Sequence, residues 1–350
     1  MDKIMVEVPQ GFNVIQDTLL KRDWIISSFD IEKAELYNPA NYLYNKMSDG
    51  LTYKLYLDRN IFSFIISVAN KKEPKQIYRD AISLIAFCQI AEILIEPNFA
   101  VYEKINYYNH NADEAVDELL KFYEIDNTKT DILMKYILHE KNSIDVIPSN
   151  RWDSKELKEK LIKYEWLAEW KSLYLIVLNL VDINYQNINR DSKINNFFNW
   201  MVKEFRLSLV SIVYAIFLFS SGRMKQMIKF KTNDDRDKKI RQLRNMTWDL
   251  YFMNQYFRVW QNKAEKEDFI FASYDSIVKK IIRAAILIQK SNSLITLKEH
   301  LHPNEEKYLN DIETLITSTD KRVFDSNMWT PDYRDKLIKE KENILLNSRN

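Results

Sequence analysis

Tyr53-Lys54-Leu55-Tyr56-Leu57-Asp58 runs almost directly into Ile61-Phe62-Ser63-Phe64-Ile65-Ile66, and this junction decides the fold class. A short apolar and aromatic run ending in an acid, then turning into a longer apolar stretch, reads as a buried strand feeding a helix. Asp58 thereby falls at the carboxyl end of a central strand, where open α/β sheets place their ligands. Capping of the following helix is an equal reading of this residue alone. The same order recurs downstream: strand-like Phe269-Ile270-Phe271-Ala272, then Ser273-Tyr274-Asp275, then a helix from Ile277 to Gln289.

Working outward, residues 1–50 read as an N-terminal extension. It carries a strand from Ile4 to Val8, a Pro9-Gln10-Gly11 turn and a helix ending near Trp24. A helix from Asp80 to about Ile95 stops at Glu96-Pro97, because the residue before proline is pushed out of the helical region. Asn98 then caps a new helix. Residues 107–231 look helical almost throughout, with breaks at Asn127, Ser143 to Trp152 and Asp182 to Asp191. A mixed-charge stretch, Lys229 to Arg244, leads into a long helix ending near Asn262, and two polar helices follow Pro303, the second opened by Thr330-Pro331. The expected organisation is an α/β core of residues 51–106 and 237–302, an α-helical insertion of 107–236, and a helical tail of 303–350.

Composition removes several chemistries. The 46% apolar and 13% aromatic content supports a real core. Gly11, Gly50 and Gly222 are the only glycines, so a Walker loop or a dinucleotide fingerprint has no material. Lone Cys88 with His110, His139, His300 and His302 cannot build a zinc finger or a His-Glu-x-x-His site. The 51 basic and 50 acidic side chains leave a net charge of +1, so a polyanion must be met by a local patch. Leu207 to Ser221 is apolar but short of the roughly 20 residues that span a bilayer. With no signal-like N-terminus, the expected location is the cytoplasm, without membrane contact.

Any metal must therefore be held by carboxylates. Asp249 sits on a helical face with Met246, Met253, Tyr256 and Trp260, and Asn245 lies one turn before it. An acid in an apolar stripe needs a cation, a metal or many donors; pairing with Arg244 or Arg258 is the structural alternative. Asp275 repeats the Asp58 arrangement with Ser273 two residues ahead. Glu103 follows the Pro97 break beside Phe99 and Tyr102, and by itself reads as a solvated surface residue. Together, Asp58, Glu103, Asp249 and Asp275 have the oxygen chemistry of a Mg²⁺ or Mn²⁺ site, expected to direct water onto a phosphodiester. Lys239, Arg241 and Arg244, with Arg223, Lys225, Lys229 and Lys231 before them, form a basic cluster leading toward Asp249 that would track a phosphate backbone. Asp234, Asp235 and Asp237 interrupt it, which also fits a solvated helix face.

These residues resemble the PIN-like nuclease superfamily. Leu55-Tyr56-Leu57-Asp58-Arg59-Asn60 is similar to its first strand ending in Asp with Asn two residues on. Glu103 after a second helix, Asn245 and Asp249 on a later helix, and Ala272-Ser273-Tyr274-Asp275 follow its order. The resemblance covers 53–103 and about 240–290. It implies a Rossmann-like parallel sheet, Asp58, Glu103, Asp249 and Asp275 as catalytic metal ligands for Mg²⁺ or Mn²⁺, and an RNA substrate contacted by Arg59, Asn60, Asn245, Ser273, Lys239, Arg241 and Arg244. The sequence departs from that pattern at Arg59, where a small hydroxyl residue is usual, and in the long interval between Glu103 and Asp249. An endoribonuclease of toxin or phage-defence type is the function implied, with the helical insertion shaping access or docking a protein partner or inhibitor. The competing expectations are a non-catalytic, mostly helical interaction protein and a structure-specific DNA nuclease.

Overall fold

A computed structural model describes residues 7–28, 33–107, 112–146, 153–162, 167–220, 224, 226–317 and 330–347. The described residues are mostly α-helical with one small mixed sheet, and the chain forms two compact units: residues 1–164 with 258–276, and residues 165–257 with 277–350.

The first unit holds the sheet. Its elements are α1 (Phe12–Arg22), β1 (Ile25–Ile26), α2 (Pro39–Asp49), β2 (Thr52–Leu57), α3 (Arg59–Ala69), α4 (Gln76–Ile90), β3 (Leu94–Glu96), α5 (Asn98–Tyr107), α6 (Ala112–Asp126), α7 (Thr130–Ile137) and α8 (Ser154–Ile162). The last strand, β4 (Glu267–Ala272), arrives much later in the chain. The strand order is β1-β4-β2-β3, with β2 parallel to both β3 and β4, and the two-residue β1 antiparallel at the edge. Alternation along β2 turns Tyr53, Leu55 and Leu57 inward, as a period of two requires. On the opposite face Lys54 crosses to Glu267 at 2.6 Å, and Tyr56 stacks on Phe99 with ring centroids 4.5 Å apart.

Helix α3 is rich in β-branched residues with modest intrinsic helix preference, so burial carries it. Ile61, Phe62, Ile65, Ile66 and Val68 are all buried, each contributing roughly 1.5–3 kcal/mol relative to exposure. Phe62 stacks on Phe122 of α6, centroids 5.5 Å apart. That contact explains a departure from the expected organisation: α6, α7 and α8, anticipated in a separate insertion, join the sheet's own unit.

The described residues between 107 and 236 contain helices and no strand. The sequence reading differs in one place. The expected helix to Ile95 ends at Ile90; Glu92 adopts φ +52°, and Leu94–Glu96 is a strand paired with β2. A three-residue strand following an apolar helix has too few residues to show its own period. The expected strand Ile4 to Val8 lies largely outside the described residues, and Glu7 and Val8 are irregular.

The second unit is helical: α9 (Leu167–Tyr185), α10 (Arg190–Lys203), α11 (Leu209–Phe219), most of α12 (Arg236–Gln261), α13 (Ser276–Ser291), α14 (Glu306–Thr317) and α15 (Pro331–Asn347). Every residue from Val210 to Phe219 is buried. Helix α15 runs along α9, joined by Lys171–Asp335 at 2.7 Å, by Tyr174 donating to Glu342 at 2.5 Å, and by Lys341–Asp182. Among the described residues no helix is long and apolar enough to cross a membrane.

Candidate functional site at the carboxyl ends of the parallel strands

Strands β2 and β4 are adjacent and parallel, with Leu57 opposite Ala272. Their following residues therefore emerge side by side. Asp58 is the N-cap of α3: its Oδ1 accepts from the Ile61 backbone N–H at 2.8 Å. Its Oδ2 accepts from the Ser273 hydroxyl at 2.6 Å and from the Tyr274 backbone N–H at 2.8 Å. Ser273 Oγ accepts in turn from the Asp275 N–H at 3.0 Å. One buried carboxylate thus ties the exits of both strands, and both readings of Asp58, cap and strand-end acid, describe the same residue.

Burial pushes the Asp58 carboxyl up to about 6 despite the three donors, and the neighbouring Asp275 adds to the rise. Asp275 is half-buried, whereas Tyr274 stands exposed between Trp24 and Phe64, which it meets edge-on at 6.4 and 5.5 Å.

Arg59 and Asn60 open α3. Asn60 is exposed. Arg59 is turned to Glu118 of α6 at 2.9 Å and lies 5.4 Å from the Phe62 ring centroid. Glu118 also receives Lys104 at 2.7 Å, which reaches Glu114 at 3.0 Å. Burial alone would raise Glu118, but the hydrogen bonds from Arg59 and Lys104 hold it below the usual carboxylate range. Glu103 is half-buried on α5, a helix packed against β2 and α3.

Asp249 belongs to the second unit and pairs with Lys229, a partner outside the two arginines the sequence suggested. Met246, Met253 and Tyr256 are buried, but the Asp249 side chain keeps about a third of its exposure, so it lies at the margin of the apolar stripe. Asn245, one turn earlier, is half-buried, and Arg241 and Arg244 are exposed. Lys239, expected to track phosphate, is buried, its ammonium 5.8 Å from the Phe230 ring. Arg223 and Lys225 lie outside the described residues. Among the described residues no group of three or more His, Cys, Asp or Glu side chains is placed to hold a metal ion. Among the described residues the structure thus brings Asp58, Ser273 and Asp275 together.

Sequence reasoning missed Glu96, the last residue of β3 and the register partner of Tyr56. Burial raises its carboxyl, offset by the Asn98 N–H and by Lys54. In the sequence it reads only as a helix stop before Pro97. Asp126, raised by burial to about 6, gave no signal either, since a helical acid looks alike on a wet or a dry face.

No family model matches this chain, and no curated protein or solved structure shows significant similarity to it.

Proposed function

We propose that the carboxyl ends of β2 and β4 form a divalent-cation site for phosphodiester hydrolysis, within a Rossmann-like sheet of the PIN type. The observation that supports this reading is the Asp58–Ser273–Asp275 arrangement on two adjacent parallel strands. An ionised carboxylate offers about four acceptor positions, and three of those on Asp58 are taken, leaving one on Oδ1. Asp275 supplies the second acid. Mg²⁺ is commonly held by one or two carboxylates, with waters and substrate phosphate completing its shell, so a two-acid donor set fits Mg²⁺ or Mn²⁺. Glu103 is the third candidate ligand, and Asp249, with Lys229 beside it, is the weakest.

The bound ion would supply activation of water and stabilisation of charge on the phosphate. The chain's own residues do the rest. Ser273 holds Asp58 in place, Asp58 caps α3 and fixes the strand exits, and Asn60 and Tyr274 present an exposed amide and ring to a substrate strand, since base stacking on aromatics is a general mode of single-strand binding. RNA is the substrate this reading favours through the resemblance, and a structure-specific DNA activity is its near alternative.

A second reading has its own support. Three protein donors on Asp58 and an ion pair on Asp249 are what a non-catalytic helical interaction protein needs from these acids. Labelled RNA and DNA incubated with the purified protein, with Mn²⁺ and with EDTA, separate the readings. The nuclease reading expects EDTA-sensitive cleavage that falls at least about 100-fold in Asp275→Asn, equivalent to about 2.7 kcal/mol of transition-state stabilisation. Absence of cleavage of either polymer with Mn²⁺ present sinks it.

A further inference from the structure

A cavity of about 500 Å³ opens at the other end of the sheet from Asp58, entirely within the first unit. It is lined by Tyr53 and Asp268, register partners near the amino ends of β2 and β4, and by Glu35, Asn41, Tyr42 and Asn45 from α2 and the turn before it. The volume lies within the range of small-molecule sites.

The wall has turned its donors inward. Asn41 Nδ2 donates to Glu35 Oε2 at 3.0 Å and to the Glu35 carbonyl at 2.9 Å. Both partners are acceptors only, which fixes the orientation of that amide. Asn45 Nδ2 donates to the Tyr53 hydroxyl at 2.6 Å, and the Tyr42 hydroxyl donates to the Leu36 carbonyl at 2.8 Å. Acceptors are left over: Glu35 Oε1 and Asn41 Oδ1 receive no hydrogen bond among the described residues. Glu35 is also held below the usual carboxylate range by Asn38 and Asn41, so it is charged at neutral pH. Asp268 is neutralised by Lys263 at 2.9 Å, whereas no cation pairs with Glu35 among the described residues. Tyr42 and Tyr53 meet edge-to-face, centroids 4.8 Å apart.

Surplus acceptors, an uncompensated negative charge and two tyrosine rings around one cavity select a cationic, donor-rich guest. We propose that this cavity binds a small organic cation bearing an alkylammonium or guanidinium group, its head on Glu35 and the Asn41 amide oxygen and its stem against Tyr42 and Tyr53. A cation beside tyrosine rings gains from their quadrupoles, and a charged donor makes stronger hydrogen bonds to these oxygens than a neutral one. The site is separate from the strand-end acids and does not depend on the hydrolase reading.

Isothermal titration calorimetry of the full chain with agmatine tests it, with 1,4-butanediol as the uncharged control and glutarate as the anionic one. Agmatine is expected to bind and both controls to give no heat. Glu35→Gln should weaken agmatine at least about tenfold while leaving circular dichroism unchanged. Leu51→Trp, which adds bulk to the cavity wall without touching the polar set, should also remove binding and serves if the first variant fails to fold. Lack of agmatine binding at millimolar concentration, equal binding of butanediol, or unchanged affinity in a folded Glu35→Gln or Leu51→Trp protein overturns the proposal.

Discussion

Ser273, the first residue after β4, donates its hydroxyl to Asp58, the first residue after β2, at 2.6 Å across 215 positions of sequence. The pair joins two strand exits whose backbones are also linked, Asp58 N–H to the Ala272 carbonyl at 3.0 Å. Removing the hydroxyl leaves a buried carboxylate with one fewer donor. Ser273→Ala is therefore expected to cost about 1–3 kcal/mol, read from denaturant unfolding followed by a first-unit probe such as Trp24. A stability within about 0.3 kcal/mol of wild type would show that the bond contributes little.

Asp58 and Asp126 set an expected pH dependence. Both carboxyls are raised by burial to about 6, from an ordinary 3.8. The folded chain then binds more protons than the unfolded chain between about pH 4 and 6, so stability falls as pH rises through that window and levels off above it. Asp126→Asn mimics the protonated acid. It should raise stability at pH 7.5 by about 1–3 kcal/mol and flatten the slope between pH 4 and 6.5. A loss of stability at pH 7.5 would show that the charged form has a partner in solution.

Glu118 runs the other way. Held low by Arg59 and Lys104, it contributes stability above the ordinary carboxylate pKa that is lost as pH falls through its lower folded value. Two cations depend on it, and its side chain is 18% exposed against 60% for Glu114. Glu118→Ala should cost on the order of 1–3 kcal/mol, since it takes the carboxylate from Arg59 and leaves Lys104 only the exposed Glu114. Glu114→Ala should cost under about 1 kcal/mol, as exposed pairs do. Equal effects in a denaturant titration of the two variants would contradict this account of the network.

Asp249 separates structure from chemistry. Its pair with Lys229 is about one-third exposed on both sides, so Asp249→Asn and Lys229→Met should each change stability by less than about 1 kcal/mol. If Asp249 is a metal ligand, only the Asp249 variant loses Mn²⁺-dependent cleavage. Should cleavage persist in Asp249→Asn and vanish in Asp275→Asn, the functional acids are those at the strand ends.

The sequence by itself determined much of the local structure. The strand-acid-helix order around Asp58 and Asp275, the buried helix near Leu209 to Phe219 and the proline-opened helix at Pro331 all rest on periods and caps that neighbouring residues express. Adjacency was not written there. That β2 pairs with β4, so that Ser273 meets Asp58, follows from hydrogen bonding between strands more than 200 residues apart. The pairing of Lys229 with Asp249 was equally out of reach, because Lys229 comes from the chain before α12, while residues on the helix itself, Arg244 and Arg258, were the candidates the sequence offered. Helices α6 to α8 read as an insertion because helical periodicity reports which face is apolar and says nothing about what covers it; the Phe62–Phe122 contact decided that they belong with the sheet. The cavity at the amino ends of β2 and β4 likewise left no mark in the sequence, since Glu35, Tyr53 and Asp268 share a wall only once the strands pair in parallel and α2 folds beside them.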